Sequence, residues 1–133
     1  MMHQFNLRVY YEDTDLAGLV YYANYLKFIE RGRSEWVRGL GIDQAALKAD
    51  LGVVFAVRRV EADYLKPAKY DDELVVQTEC LAISGARIEL QQVVLRRVER
   101  LFVAKVTLVC LTDAGAPTRI PGPVRAALTS ALG

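Results

Sequence analysis

The chain has 133 residues, 53% of them hydrophobic and 25% charged, with Lys+Arg 17 against Asp+Glu 16. That length suits one domain, residues 1–133, able to bury a core without disulfide staples; the apolar content excludes disorder, and the balanced charge excludes a surface built for nucleic acid. The start MMHQFNLRV has no apolar signal core and no stretch approaches about eighteen uninterrupted apolar residues, so a cytoplasmic protein with no membrane span is expected.

Phe5, Leu7 and Val9 alternate with Asn6, Arg8 and Tyr10, the period of a half-buried strand that runs into the acidic turn Glu12-Asp13-Thr14-Asp15. Over residues 22–40 the period changes. Tyr22, Tyr25, Leu26, Ile29, Trp36, Val37 and Leu40 recur at three and four, with Glu30, Arg31, Arg33, Glu35 and Arg38 between them, which predicts a long amphipathic helix. Gly39 and Gly41 stop it. Asp43 caps a short helix through Leu51, and Gly52 ends that one.

Strands follow. Residues 53–64 are rich in β-branched and aromatic side chains, Lys66-Pro67-Ala68-Lys69 interrupts them, and residues 74–81 resume an extended run. Ser84-Gly85 marks a turn. Residues 88–98 and 101–111 form two more strands joined tightly at Glu99-Arg100, and residues 124–132 form a terminal helix behind Pro121-Gly122-Pro123. Cys80 and Cys110 lie inside apolar runs, so buried free thiols are expected rather than a disulfide or a metal site. This order predicts an α+β fold, a curved antiparallel sheet wrapped around one long helix, because the strand connections are too short for parallel crossovers.

The junction Asp15-Leu16-Ala17-Gly18-Leu19-Val20-Tyr21-Tyr22-Ala23-Asn24-Tyr25 is accompanied by Arg8-Val9-Tyr10-Tyr11-Glu12-Asp13-Thr14, Phe28-Ile29-Glu30-Arg31-Gly32-Arg33-Ser34-Glu35-Trp36 and Tyr64-Leu65-Lys66-Pro67-Ala68-Lys69-Tyr70-Asp71-Asp72-Glu73-Leu74. Over residues 6–111 this resembles the hotdog-fold acyl-CoA thioesterases of the 4-hydroxybenzoyl-CoA thioesterase type, closest to the bacterial branch associated with the Tol-Pal cell-envelope system. The resemblance implies that Asp15 is the catalytic carboxylate, as nucleophile or general base. It also implies that a backbone N–H at the helix start near Tyr22 receives the carbonyl oxygen. Many members of the closest branch carry histidine where this chain has Tyr22, so no imidazole is carried over to that position. The resemblance further implies a homodimer or homotetramer with sites at subunit boundaries, and a basic CoA-contacting loop at Arg87.

Elementary chemistry agrees with that division of labour. Thioester hydrolysis needs a nucleophile or base beside the carbonyl carbon and positive electrostatics beside its oxygen; a carboxylate supplies the first and a helix N-terminus the second. Gly18 between them either relieves strain in a tight turn or lets substrate approach the backbone. The rings of Tyr22 and Tyr25 read equally as buried helix residues and as substrate contacts. Arg87 reads as a CoA phosphate contact or a solvated charge, with Arg58, Arg59, Lys66, Lys69 and Arg119 as weaker candidates. Asn24 and Arg33 orient the loop or serve the helix surface, and Glu12 and Asp13 are solvated or structural.

The one histidine, His3, lies in the N-terminal segment, expected to be flexible, which argues against a His-based dehydratase and against Ser/His/Asp or Cys/His triads. No metal or cofactor is called for. The expected partners are acyl-CoA and acyl-carrier protein. The rival function is a non-catalytic module that binds either one or serves an envelope complex.

Overall fold

The computed structural model describes residues 2–132. Five strands form a single antiparallel sheet: β1 (His3–Arg8), β2 (Val53–Tyr64), β3 (Glu73–Ile83), β4 (Arg87–Arg96) and β5 (Glu99–Thr112), in the spatial order β1-β3-β4-β5-β2. His3 pairs with Thr78 and Arg8 with Glu73 across β1 and β3, while Arg59 to Tyr64 of β2 run against Thr107 to Phe102 of β5. Irregularities between Val57 and Arg59, Cys80 and Ala82, and Val94 and Leu95 bend the strands locally.

Among the described residues the helices are α1 (Asn24–Gly39), α2 (Gln44–Leu51) and α3 (Gly122–Ser130), with a single 3-10 turn at Tyr11–Asp13. Here the expected architecture is corrected, because the sheet does not wrap around one long helix. α1 packs on β1, β3 and β4, α2 on β2, and α3 on β3. The reason is dimensional. Five strands at roughly 4.8 Å spacing make a surface about 20 Å wide, and a helix with its side chains covers only about 10–12 Å. The sheet stays open, with β1 and β2 as its edges.

The predicted elements otherwise hold within a few residues. Asp43 accepts the Ala46 N–H at 3.0 Å as the cap of α2, and Gly52 ends it in the left-handed region at φ 65°. The β4–β5 turn falls at Arg97-Val98 rather than Glu99-Arg100, since Arg96 pairs with Glu99. Arg97 takes φ 57° without being glycine, so no turn residue marked it. His3 sits in β1 opposite Thr78, and is part of the sheet rather than a flexible end. Cys80 and Cys110 are buried free thiols, and burial raises the pKa of both.

α1 reaches the sheet through Tyr25, Phe28, Ile29, Gly32, Trp36 and Val37, spaced to share one face. Gly32 permits the closest approach: a Cβ there would lie 2.5 Å from Val76 Cγ1. Beside it Gln92 is fully buried and fully used. Its Nε2 donates to the Ile29 carbonyl and to Thr78 Oγ1, both at 2.9 Å, and its Oε1 accepts from Arg33 Nη1 at 3.0 Å. This packing fixes the height of α1 above the sheet, and with it the position of the helix start.

Candidate active site

Asp15 heads a five-residue loop closed at its base by the antiparallel bridge Thr14↔Val20. The loop is tied twice within its backbone, by Asp15 N–H to the Leu19 carbonyl at 2.8 Å and by Gly18 N–H to the Asp15 carbonyl at 3.0 Å. Gly18 adopts φ 78°, a conformation that non-glycine residues rarely take, and open space surrounds its α-carbon. The Asp15 carboxylate is exposed and asymmetrically used. Oδ1 accepts the N–H groups of Ala17 at 2.9 Å and Leu19 at 3.2 Å, while among the described residues Oδ2 takes no protein donor. One oxygen holds the side chain still and the other is available.

Asp13, two residues earlier, is buried at 7% exposure and is structural. Its Oδ2 accepts the Tyr10 N–H at 2.8 Å, and its carbonyl accepts both the Tyr21 N–H at 3.0 Å and Asn24 Nδ2 at 2.9 Å. The start of α1 is thereby locked to the base of the Asp15 loop, with Asn24 as the lock. α1 begins two residues later than the periodicity suggests, and its cap residue Ala23 offers no side chain to the helix end. Among the described residues neither the Tyr22 N–H nor the Ala23 N–H donates to a protein acceptor. Such groups at a helix N-terminus carry its positive partial charge.

The two expected tyrosines separate. Tyr22 is 63% exposed, with its ring against Tyr21 at 4.8 Å and Tyr64 at 6.3 Å. Tyr25 is only 3% exposed: its ring stacks on Phe102 at 5.1 Å and its hydroxyl accepts the Ala68 N–H at 2.8 Å. That ring lies in the core of the chain, and burial raises the pKa of its phenol. Tyr64, at the end of a β run and the head of a segment that carries the resemblance but given no role of its own, matters more than expected. Its hydroxyl donates to the Tyr22 carbonyl at 2.9 Å and so fixes the peptide preceding the Ala23 N–H.

Arg87 stands apart. It begins β4, beside Arg58, Arg59, Glu61, Glu89, Lys105 and Thr107 in a shallow charged depression. Arg96 at the other end of β4 touches Pro67 and Asp72, next to the segment that carries the Asp15 loop. Nine residues of strand at roughly 3.3 Å each put the two arginines about 30 Å apart. Within the chain Arg87 is therefore not brought to Asp15. A cavity of about 190 Å³ lined by Trp36, Phe55, Ile88, Leu108 and Leu128, with Arg33 and Glu30 among its polar groups, includes no residue of the Asp15 loop.

A profile for the thioesterase superfamily matches residues 17–103. An acyl-CoA thioesterase YbgC of Haemophilus influenzae is 42% identical over 125 residues, covering 92% of this chain and 91% of that one. The chain belongs to the thioesterase superfamily. As a thioesterase it shares the hotdog fold and stands close to the bacterial YbgC, Tol-Pal-associated branch. A solved probable thioesterase of Bartonella henselae superposes with a TM-score of 0.87 at 37% identity, over 91% of this chain and all of that one. A 1,4-dihydroxy-2-naphthoyl-CoA thioesterase of Synechocystis has the same fold, with a TM-score of 0.88 at 20% identity over 97% and 96% of the two chains. The thioesterase match begins two residues after Asp15, so the carboxylate itself stands on its geometry.

Proposed function

We propose that this thioesterase hydrolyses acyl-CoA thioesters, with Asp15 as nucleophile or general base and the backbone N–H groups at Tyr22 and Ala23 as the oxyanion donors. The observation that carries the reading is the pairing of a carboxylate anchored through Oδ1 alone with a helix start whose Tyr22 and Ala23 N–H groups have no protein partner among the described residues. The acyl-CoA class is supported by the relative from Haemophilus influenzae that carries that activity in its name.

In the nucleophilic route Asp15 Oδ2 attacks the thioester carbon, the C–S bond breaks, and the CoA thiolate leaves and takes a proton from solvent. Water then cleaves the acyl–aspartyl anhydride, and label from heavy-oxygen water enters Asp15 when it attacks the aspartyl carbonyl. In the general-base route Asp15 takes a proton from water as the water oxygen attacks the carbon directly; the tetrahedral intermediate then collapses, the C–S bond breaks, and the proton on Asp15 passes to the leaving CoA sulfur. In both routes negative charge grows on the carbonyl oxygen, and losing one preorganised donor for it costs about 2.7–4 kcal/mol. In single turnover in heavy-oxygen water, label in Asp15 supports the anhydride; with label only in the product acid, hydroxylamine trapping decides, a hydroxamate at Asp15 supporting the anhydride and its absence direct water attack.

A second copy of the chain belongs to the same reading. β2 is a twelve-residue edge strand that pairs only with β5 among the described residues, and it exposes Val57, Val60 and Tyr64. Tyr64 touches Tyr22, so a copy added along this edge would border the site and form a homodimer, or a homotetramer by further pairing. An acyl-CoA series from short to long, aliphatic and aromatic, with acyl-carrier-protein thioesters alongside, tests the activity. Cleavage of CoA thioesters is expected; binding without cleavage across the whole series would favour a binding module instead.

A further inference from the structure

The Asp15 loop rests on the bend of residues 65–72 between β2 and β3. Two residues of that bend hold the loop: the Ala68 carbonyl accepts the Val20 N–H at 2.9 Å, and the Tyr70 N–H donates to the Gly18 carbonyl at 3.1 Å. The carboxylate of Asp15 hangs in turn from Ala17 and Leu19, inside the same loop. Whatever sets the bend therefore sets the carboxylate.

The bend is closed by Arg96 of β4. Its Nη1 donates to Asp72 Oδ2 at 2.7 Å and reaches the Pro67 carbonyl at 3.4 Å, so one nitrogen ties together the two ends of the segment holding Ala68 and Tyr70. The same Asp72 Oδ2 accepts the Lys69 N–H at 2.8 Å. Nη2 meanwhile donates to Glu99 Oε1 at 2.6 Å, anchoring the clamp to β5. Asp71 within the bend takes φ 71° and is held from the other side, its N–H donating to the Val9 carbonyl and its carbonyl accepting from Arg8 Nη1, both at 3.0 Å, so Arg96 is the side-chain tie on residues 67–72 that comes from β4.

The Arg96 and Asp72 side chains are 27% and 21% exposed, against 45% and 64% for the outer pair Arg8 and Asp71. Their charge-assisted bonds are thus the less solvent-screened of the two. A lysine ammonium lacks the planar fork that holds Asp72 with one nitrogen and Glu99 with another. We propose that Arg96 is a positioning residue for the Asp15 carboxylate, acting through Asp72 and the 67–70 backbone; this rests on the catalytic reading of Asp15 above.

The test is steady-state acyl-CoA hydrolysis by Arg96→Met, Asp72→Asn, the double variant and Arg96→Lys, with Asp15→Asn measured alongside and folding checked by thermal melting. Misplacement of the carboxylate lowers kcat about tenfold or more, while KM, which reports contacts these residues do not make, moves less than about threefold. Arg96→Met and Asp72→Asn should each show this loss, the double variant should be no worse than either, and Arg96→Lys should fall between wild type and Arg96→Met. A folded Arg96→Met with wild-type kcat, a loss confined to KM, or losses that multiply in the double variant would overturn the proposal. If Arg96→Met does not fold, Asp72→Asn and Arg96→Lys decide: lowered kcat in both supports it and wild-type kcat in both overturns it. If none of the three folds, Arg96 serves stability and the proposal fails. An active Asp15→Asn would remove the catalytic reading itself, whereas an inactive Asp15→Asn beside a fully active Arg96→Met would remove only this inference.

Discussion

The middle of α1 and its N-terminal end are built on opposite rules. In the middle, Gly32 lies against Val76, and Arg33, Gln92, Thr78 and the Ile29 carbonyl satisfy one another in the interior. At the N-terminal end the Tyr22 and Ala23 N–H groups have no acceptor among the described residues, and Tyr21, Tyr22 and Tyr64 are exposed around them. The difference separates what holds the fold from what meets a ligand. A fully satisfied, close-packed segment fixes the helix on the sheet, and that rigidity lets the far end present unpaired donors in a set position.

Substitutions at the two ends should therefore have distinct signatures. The largest effect in the middle is expected from Gln92→Leu, which leaves the Arg33 guanidinium, Thr78 and the Ile29 carbonyl without their partner. A loss of about 3 kcal/mol in denaturant unfolding is predicted, with kcat per folded molecule unchanged. Gly32→Ala follows at about 1–3 kcal/mol, because the added Cβ has no room beside Val76. An Ala variant as stable as wild type would show that α1 can lift from the sheet and would break the contrast.

Tyr25→Phe sharpens the comparison, since Tyr25 lies in the first turn of α1, between the unused N–H groups and the packed middle. It strands the buried Ala68 N–H at a cost of about 1–3 kcal/mol. Because Ala68 also carries Val20, a modest drop in kcat should accompany the stability loss, unlike at Gln92 or Gly32. The smallest effect concerns pH. Hydrogen bonds from Lys66 and Arg96 lower the pKa of Glu99. Its stabilising contribution is therefore present above the unfolded carboxylate value, near about 4.3, and is lost as pH falls through the lower folded value. Glu99→Gln should flatten the acid slope of the thermal midpoint; an unchanged slope would remove Glu99 from that role.

The periodicity at Ile29, Trp36 and Val37 marked α1, and Asp43 and Gly52 marked both ends of α2, because each signal is local. The openness of the sheet was not legible, since nothing in a strand's own pattern says how many helices share its face. Arg97 made a turn without a turn residue for the same reason: pairing of β4 with β5 imposed the conformation. At the site, Asp15, Gly18 and the helix start could be singled out from one contiguous stretch. The lock of Asp13 on Asn24, the bond of Tyr64 to Tyr22 and the clamp of Arg96 on Asp72 join residues distant in the chain, and only the fold brings them together. Tyr25 shows the converse: its helical spacing left core and substrate contact equally open, and the depth of the Phe102 pocket places its ring in the core of the chain.

The most direct measurement of the central claim is turnover of an acyl-CoA by purified Asp15→Asn. The asparagine carbonyl can still accept the Ala17 and Leu19 N–H groups, so the loop and the thermal midpoint should be preserved, while loss of the carboxylate lowers kcat by at least about a hundredfold. Turnover equal to wild type would contradict the account.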